Sequence, residues 1–258
     1  MKEAKFMVIS EGLSKHSTST RNALLAKHAK SGDMAAAQQV FDELSSPSVI
    51  SWTSLIAGYC DNDSGVKALE CFEEMKEDQI SPNDVTFACV LKACSYVVAR
   101  GKGQEIHEEI ERRGLLERNI FLGSTLVDMY ARCDLFTEAQ YVLDVLPIRN
   151  EVPWSALIAG YTHNGKDHEA LSCLEQMRAE GISPNAITFI SILKACGNTG
   201  AINEGIKIHD EIETRRDLLE KNIALGIVLC GYVCERCLQK QKLCYKGSLV
   251  KMLCVGLH

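Results

Sequence analysis

Several things are missing from this chain of 258 residues, and each absence removes a class of explanation. No apolar run approaches the roughly 18–20 residues that a membrane-spanning helix needs, so no membrane partner is expected. The opening residues, MKEAKFMVIS, carry Glu3 and have neither an apolar signal core nor an Arg/Ser-rich presequence, so no targeting peptide is visible. No stretch alternates apolar and polar residues with period two for long enough to claim a sheet. Excess positive charge is also missing. The net charge is −6, which argues against indiscriminate attraction to nucleic acid while leaving room for a local basic stripe.

What is present is repetition. The chain reads SWTSLIAGY at 51–59 and PWSALIAGY at 153–161, and a shift of 102 residues also carries Met75 onto Met177 and Pro82 onto Pro184. LKAC at 91–94 falls on 193–196, and the IH pair at 106–107 falls on 208–209. A catalytic motif rarely repeats within one active site, whereas a structural module repeats by necessity. The block subdivides: the apolar pair opening each unit falls at Leu24, Leu55, Val90, Leu126, Leu157, Ile192 and Leu229, in steps running from 31 to 37 residues.

Each unit reads as two amphipathic helices with a break between them. In GVKALECFEEMKE, Ala68, Leu69, Phe72 and Met75 recur at helical spacing and define one apolar face. ISPN then ends the helix, because Pro82 cannot continue it. LSSPS at 44–48, LPIRN at 146–150 and ISPN at 182–185 do the same. A two-helix unit cannot bury its apolar face alone, but stacked copies bury a continuous one. The expected fold is therefore all-α, a right-handed superhelical solenoid of stacked helix-turn-helix repeats, with Trp52 and Trp154 as packing anchors. Hydrophobic residues make up 46% of the chain, enough for such a core. Most of the 12 cysteines sit inside the repeats, Cys94 matching Cys196 and Cys71 matching Cys173, where they read as small buried hydrophobes rather than a disulfide framework.

The period alone does not separate tetratricopeptide from other helical repeats; the wording does. The chain resembles the plant pentatricopeptide repeat family, in the subclass that alternates standard, long and short repeats. Residues 49–83 and 151–185 are similar to its standard repeat, 84–119 and 186–222 to the long one, and 18–48 and 120–150 to the short one. Residues 1–17 look like the second helix of a truncated long repeat, so a longer parent protein is expected.

The resemblance implies single-stranded RNA binding at about one base per repeat, read by two or three side chains. In the family the fifth and last residues of a repeat face the base, and the second packs against it. Carried over, the reading pairs are Asn22 with Ser48, Thr53 with Asn83, Ala88 with Asn119, Ser124 with Asn150, Ser155 with Asn185, and Ile190 with Asn222. The packing residues are Ile50, Val85, Phe121, Val152 and Ile187. Thr or Ser with Asn reads adenine in the family's code, and Asn with Ser reads a pyrimidine, usually cytosine. Ala88 and Ile190 offer no side-chain hydrogen bond, so the implied footprint is pyrimidine–A–N–A–A–N, 5′ to 3′. These polar residues stand at helix starts, where Ser, Thr and Asn also serve as caps. The family further implies a mitochondrial or chloroplast setting, and a specificity factor for C-to-U editing or other RNA maturation, with an editing or RNA-processing protein acting in trans.

Zinc deaminases carry H-x-E followed by C-x-x-C. His209-Asp-Glu211 precedes Cys234-Glu-Arg-Cys237, but His107-Glu-Glu109 holds the same place in the earlier repeat with no C-x-x-C after it, so the His belongs to the repeat. No catalysis, cofactor, metal or deaminase-like domain is expected. The stretch 229–258 fits no repeat. A shifted reading frame near Leu229 would explain it, since Cys-Gly-Tyr-Val-Cys and the expected Val-Asp-Met-Tyr can share one nucleotide run. A zinc site from Cys230, Cys234, Cys237, Cys244 and His258 is the rival reading of this tail within 223–258. A protein-binding helical scaffold and a truncated, non-functional copy are the alternatives to RNA binding.

Overall fold

The computed structural model describes residues 18–215 and 222–229, and among these all regular structure is helical. The expected helix over 1–17 and the cysteine-rich tail from Cys230 onward lie outside the described residues. The chain forms two compact units, Met1–Thr125 and Leu126–His258.

In the first unit the helices are α1 (Thr18–Ser31), α2 (Met34–Asp42), α3 (Val49–Asp61), α4 (Gly65–Glu77), α5 (Asp84–Val97) and α6 (Arg100–Arg112), followed by α7 (Ile120–Arg132), within which the division falls. α1, α3 and α5 pack side by side in one layer. α2 and α4 each pack against the helix before and the helix after, and α6 closes on α5. The second unit holds α8 (Phe136–Val145), α9 (Glu151–His163), α10 (Asp167–Ala179), α11 (Ala186–Thr199) and α12 (Ile202–Thr214), with the same relations: α9 against α8, α10 and α11, and α11 against α10 and α12.

The sentence the sequence writes twice is a packing joint. Trp52, Leu55, Ile56 and Tyr59 of α3 are buried, and the Trp52 ring meets Phe41 of α2 edge-on at 4.5 Å between centroids. A side chain at Gly58 would place its Cβ 2.7 Å from the Ala29 Cβ of α1, and Gly160 faces Ala131 in the same way. Asn62 locks this approach: its Nδ2 donates to the carbonyls of Gly58 (2.8 Å) and Ala29 (3.2 Å). Asn164 repeats both bonds, to Gly160 and Ala131.

On α4 the buried residues are Gly65, Ala68, Cys71, Phe72 and Met75. Leu69, assigned to that face from its spacing, is only half-buried, and Cys71 takes its place. Cys60, Cys71, Cys94, Cys133, Cys173 and Cys196 are buried thiols outside any disulfide. Burial pushes the thiols of Cys71 and Cys173 up to about 12, and those of Cys60 and Cys89 up to about 11, so they stay protonated at neutral pH and pack as small apolar groups.

The two copies differ at their turns. Asp63, Gln79 and Val98 adopt positive φ (55°, 58° and 55°) where the second copy places Gly165, Gly181 and Gly200 (70°, 74° and 70°). Val98 is the most strained of the three, because a β-branched side chain crowds the left-handed region.

Candidate functional site

The break after each second helix puts a polar residue at the start of the next first helix. Ser48, Asn83, Asn150 and Asn185 have extended backbone and are the N-caps of α3, α5, α9 and α11. Each accepts a bond from a backbone N–H two or three residues on: Ser51 to Ser48 (3.3 Å), Thr86 to Asn83 (2.9 Å), Val152 to Asn150 (3.0 Å) and Thr188 to Asn185 (3.0 Å). Asn119 and Asn222 accept likewise from Leu122 and Leu225. These are the last residues of the six repeats laid out from the sequence, so capping is common to all of them. In the asparagine caps the bond occupies the amide oxygen and leaves Nδ2 uncommitted. Asn119 is the exception, since its Nδ2 donates to the Asp84 carboxylate at 2.9 Å.

Two residues beyond five of the six caps stands an exposed large apolar side chain. In the first unit Ile50 is 60%, Val85 59% and Phe121 67% exposed; in the second, Val152 is 46% and Ile187 57%. Unsupported apolar side chains recurring at one place per helix pair fit a flat apolar ligand better than they fit water.

The fifth residues lie deeper. Thr53, Ala88, Ser124 and Ser155 are buried, while Asn22 and Ile190 are half-buried. Ser124 Oγ donates to the Ile120 carbonyl at 3.0 Å. Ala88 and Ile190 bring no polar side-chain atom.

The remaining fifth residues enter a network that reasoning on second, fifth and last positions missed. Thr53 Oγ1 lies 2.7 Å from Thr86 Oγ1, which donates to Asn83 Oδ1 at 2.9 Å. Ser155 Oγ lies 2.8 Å from Thr188 Oγ1, itself 3.1 Å from Asn185 Oδ1. In the earliest repeat Ser51 Oγ donates to Asn22 Oδ1 at 2.9 Å and lies 3.1 Å from Ser48 Oγ. In every case a hydroxyl on the third residue of the following helix joins the fifth residue to the last. A signal was present: S-x-x-S at 48–51 and N-x-x-T at 83–86 and 185–188 are capping-box spacings.

The H-x-E motifs are part of the repeat helices, with His107 buried and His209 half-buried. His209 sits near Asp210 (3.5 Å) and Glu213 (3.9 Å), and His107 lies 3.4 Å from Glu111. Burial pushes the His107 imidazole below its usual range, against the pull of Glu111 and Glu108. Among the described residues no His, Cys, Asp and Glu side chains gather as a metal would need; Cys234 and Cys237 lie outside them.

The profile of the PPR repeat family matches residues 47–95 and 149–214, and a PPR repeat profile matches 19–46. The chain belongs to the pentatricopeptide repeat family. The matched segments contain the PPR caps Ser48, Asn83, Asn150 and Asn185 together with the apolar residues that follow them.

The chain is similar to pentatricopeptide repeat-containing protein At4g18520, chloroplastic, of Arabidopsis thaliana, at 35% identity over 83% of this chain and 35% of that protein. It is similar also to At2g03380, mitochondrial, of the same plant, at 35% identity over 81% of this chain and 30% of that protein. The chain thus spans about a third of the length of these curated relatives. Among solved structures, the maize PPR protein PPR10 superposes with a TM-score of 0.66 at 21% identity, over 83% of this chain and 32% of that one. The same protein in complex with an 18-nt psaJ RNA element superposes with a TM-score of 0.62 at 18% identity, over 80% and 31%. The PPR solenoid is therefore this chain's fold.

Proposed function

We propose that this PPR chain binds single-stranded RNA sequence-selectively, one base per repeat, with the footprint pyrimidine–A–N–A–A–N. The observation that carries the reading is the recurring juxtaposition of an exposed apolar residue with a capping amide whose oxygen is engaged and whose Nδ2 is uncommitted, as at Val85 with Asn83 and Ile187 with Asn185. The apolar side chain suits the face of a base, and the amide suits its edge. The structure of PPR10 with RNA supports the reading by analogy of fold. Ala88 and Ile190 leave the third and sixth bases without side-chain hydrogen bonds from the fifth residue, and Asn119 spends its Nδ2 on Asp84. Those positions accept any base.

By likeness to relatives named as chloroplastic and mitochondrial, we place the protein in an organelle, serving C-to-U editing or other RNA maturation as a specificity factor beside an enzyme acting in trans. The chain binds and the partner does the chemistry.

The test is fluorescence anisotropy with a short RNA containing CANAAN and a control whose adenines are guanines. The unsubstituted protein prefers the first by about tenfold or more, a difference of about 1.4 kcal/mol. The doubly substituted Asn83→Asp, Asn185→Asp protein prefers guanine at the second and fifth positions, because a carboxylate accepts the N–H that guanine presents where adenine presents a lone pair. Equal binding of both RNAs by both proteins would overturn the reading in favour of a protein-binding scaffold.

A further inference from the structure

The third-residue hydroxyls do more than cap. We propose that Ser51, Thr86 and Thr188 are specificity-determining positioning residues: they order the protons of each reading pair so that it accepts amino-bearing bases, adenine and cytosine, and rejects guanine and uracil. The inference rests on the RNA reading above and deepens it.

The argument is a count of protons at Thr53, Thr86 and Asn83. Asn83 Oδ1 receives two bonds, from the Thr86 N–H and from the Thr86 hydroxyl, both at 2.9 Å. An amide oxygen only accepts, so the atom facing Thr86 is oxygen and Nδ2 points the other way. Thr86 has one hydroxyl proton and gives it to Asn83. The 2.7 Å contact between the Thr86 and Thr53 hydroxyls therefore has Thr53 as its donor. With its proton committed, Thr53 offers only lone pairs elsewhere. The pair thus presents a donor, Asn83 Nδ2, beside an acceptor, Thr53 Oγ1.

That order is the complement of a base edge carrying a ring-nitrogen lone pair next to an amino group. Adenine has it at N1 and N6, cytosine at N3 and N4. Guanine and uracil present an N–H and a carbonyl at the same places, setting donor against donor and lone pair against lone pair.

The earliest repeat reaches the same result with the roles exchanged. Ser51 donates to Asn22 Oδ1, turning Asn22 Nδ2 outward, and Ser48 can bond Ser51 only as donor, since the Ser51 proton is already used. Ser48 is left as the acceptor. At the third site Ser155 also contacts the Glu151 carbonyl, so two hydroxyl protons serve three contacts and the ordering is weaker.

The test compares the chain carrying Thr86→Val, Thr86→Ser or Thr188→Val with the unsubstituted protein. Each is titrated against RNA pairs that differ only in adenine or guanine at the second or the fifth position. Val keeps the shape and removes the hydroxyl. Without Thr86 Oγ1 the Thr53 hydroxyl turns freely and Asn83 Oδ1 regains a lone pair, so guanine is accommodated. The adenine-over-guanine ratio at the second position is expected to fall about tenfold in Thr86→Val, to return in Thr86→Ser, and to fall about threefold at the fifth position in Thr188→Val. A ratio taken on one preparation does not depend on how much of it is folded, so a merely structural role leaves it unmoved. Thr188→Val, in the other unit, carries the test if Thr86→Val does not fold. An unsubstituted protein that prefers adenine alongside Val variants with unchanged ratios would overturn the inference and leave the RNA reading standing. An unsubstituted protein with no base preference overturns the RNA reading itself.

Discussion

Val98 and Gly200 are the same residue of the same repeat, one copy apart, and both sit in the left-handed region at the end of a helix. Glycine occupies that region freely; a β-branched residue pays in steric contact between Cβ and backbone, about 1–2 kcal/mol. Half of Val98 is exposed, so replacing it removes little packing. Val98→Gly should therefore stabilise the first unit by about 1 kcal/mol, offset in part by the extra freedom of the unfolded glycine. A thermal melt of the two proteins side by side checks this. A midpoint that falls would mean the side chain contributes more by contact than it costs in strain. Substitution in the opposite sense, Gly200→Val, should destabilise the second unit by a similar amount.

At the scale of elements, the breaks at Pro82 and Pro184 are each held by an arginine from the end of a later helix. Arg113, just past α6, donates to the Pro82 carbonyl at 2.9 Å, pairs with Glu109 and places its guanidinium 5.1 Å from the centre of the Phe87 ring. Arg215 repeats this past α12, donating to Pro184 at 2.8 Å and lying 5.6 Å from Phe189. The loop so clamped carries the cap of the next helix, Asn83 or Asn185. A lysine cannot reach a carbonyl, a carboxylate and a ring face together, because it is a point charge rather than a planar fork. Arg113→Lys should cost about 1–2 kcal/mol in thermal or denaturant unfolding and weaken RNA binding through a loosened Asn83. Unchanged stability would reduce the clamp to a surface contact.

How much of this was legible in the sequence follows from what each signal encodes. The duplication, the helix pairs and the proline-marked breaks were readable because periodicity and chain stiffness are local properties. The misassignment on α4 had a physical source: Leu69 and Cys71 flank opposite edges of the stripe formed by Ala68, Phe72 and Met75, and only the packed partners decide which edge is covered. The burial of Thr53 and Ser155 was not legible, nor was the bridge through Thr86 and Thr188, although the capping-box spacing that carries it was on view. A spacing shows that a hydroxyl can cap. It does not show that a residue some thirty positions earlier, on the previous first helix, arrives at the same hydroxyl.

For the whole molecule the governing fact is the net charge of −6. Among the described residues many helix-surface cations are matched within the chain: Lys92 with Asp61, Arg149 with Glu180, Lys166 with Asp134 and Arg178 with both Glu204 and Glu211. Cations paired in this way are poorly placed to neutralise phosphates, so on the proposed reading the affinity for RNA comes chiefly from base faces and base edges. The salt dependence measures that division directly. For single strands the slope of log affinity against log salt is about −0.7 per phosphate neutralised. With about two such contacts, raising salt fourfold should weaken binding about sevenfold, against a loss of about three-hundredfold or more expected of a binder that grips six or more phosphates. The adenine-over-guanine ratio should not move at all over that range, because edge contacts release no counterions. A steep slope would instead reveal a basic stripe that the ion pairs conceal, and binding would then be led by the RNA backbone rather than by its bases.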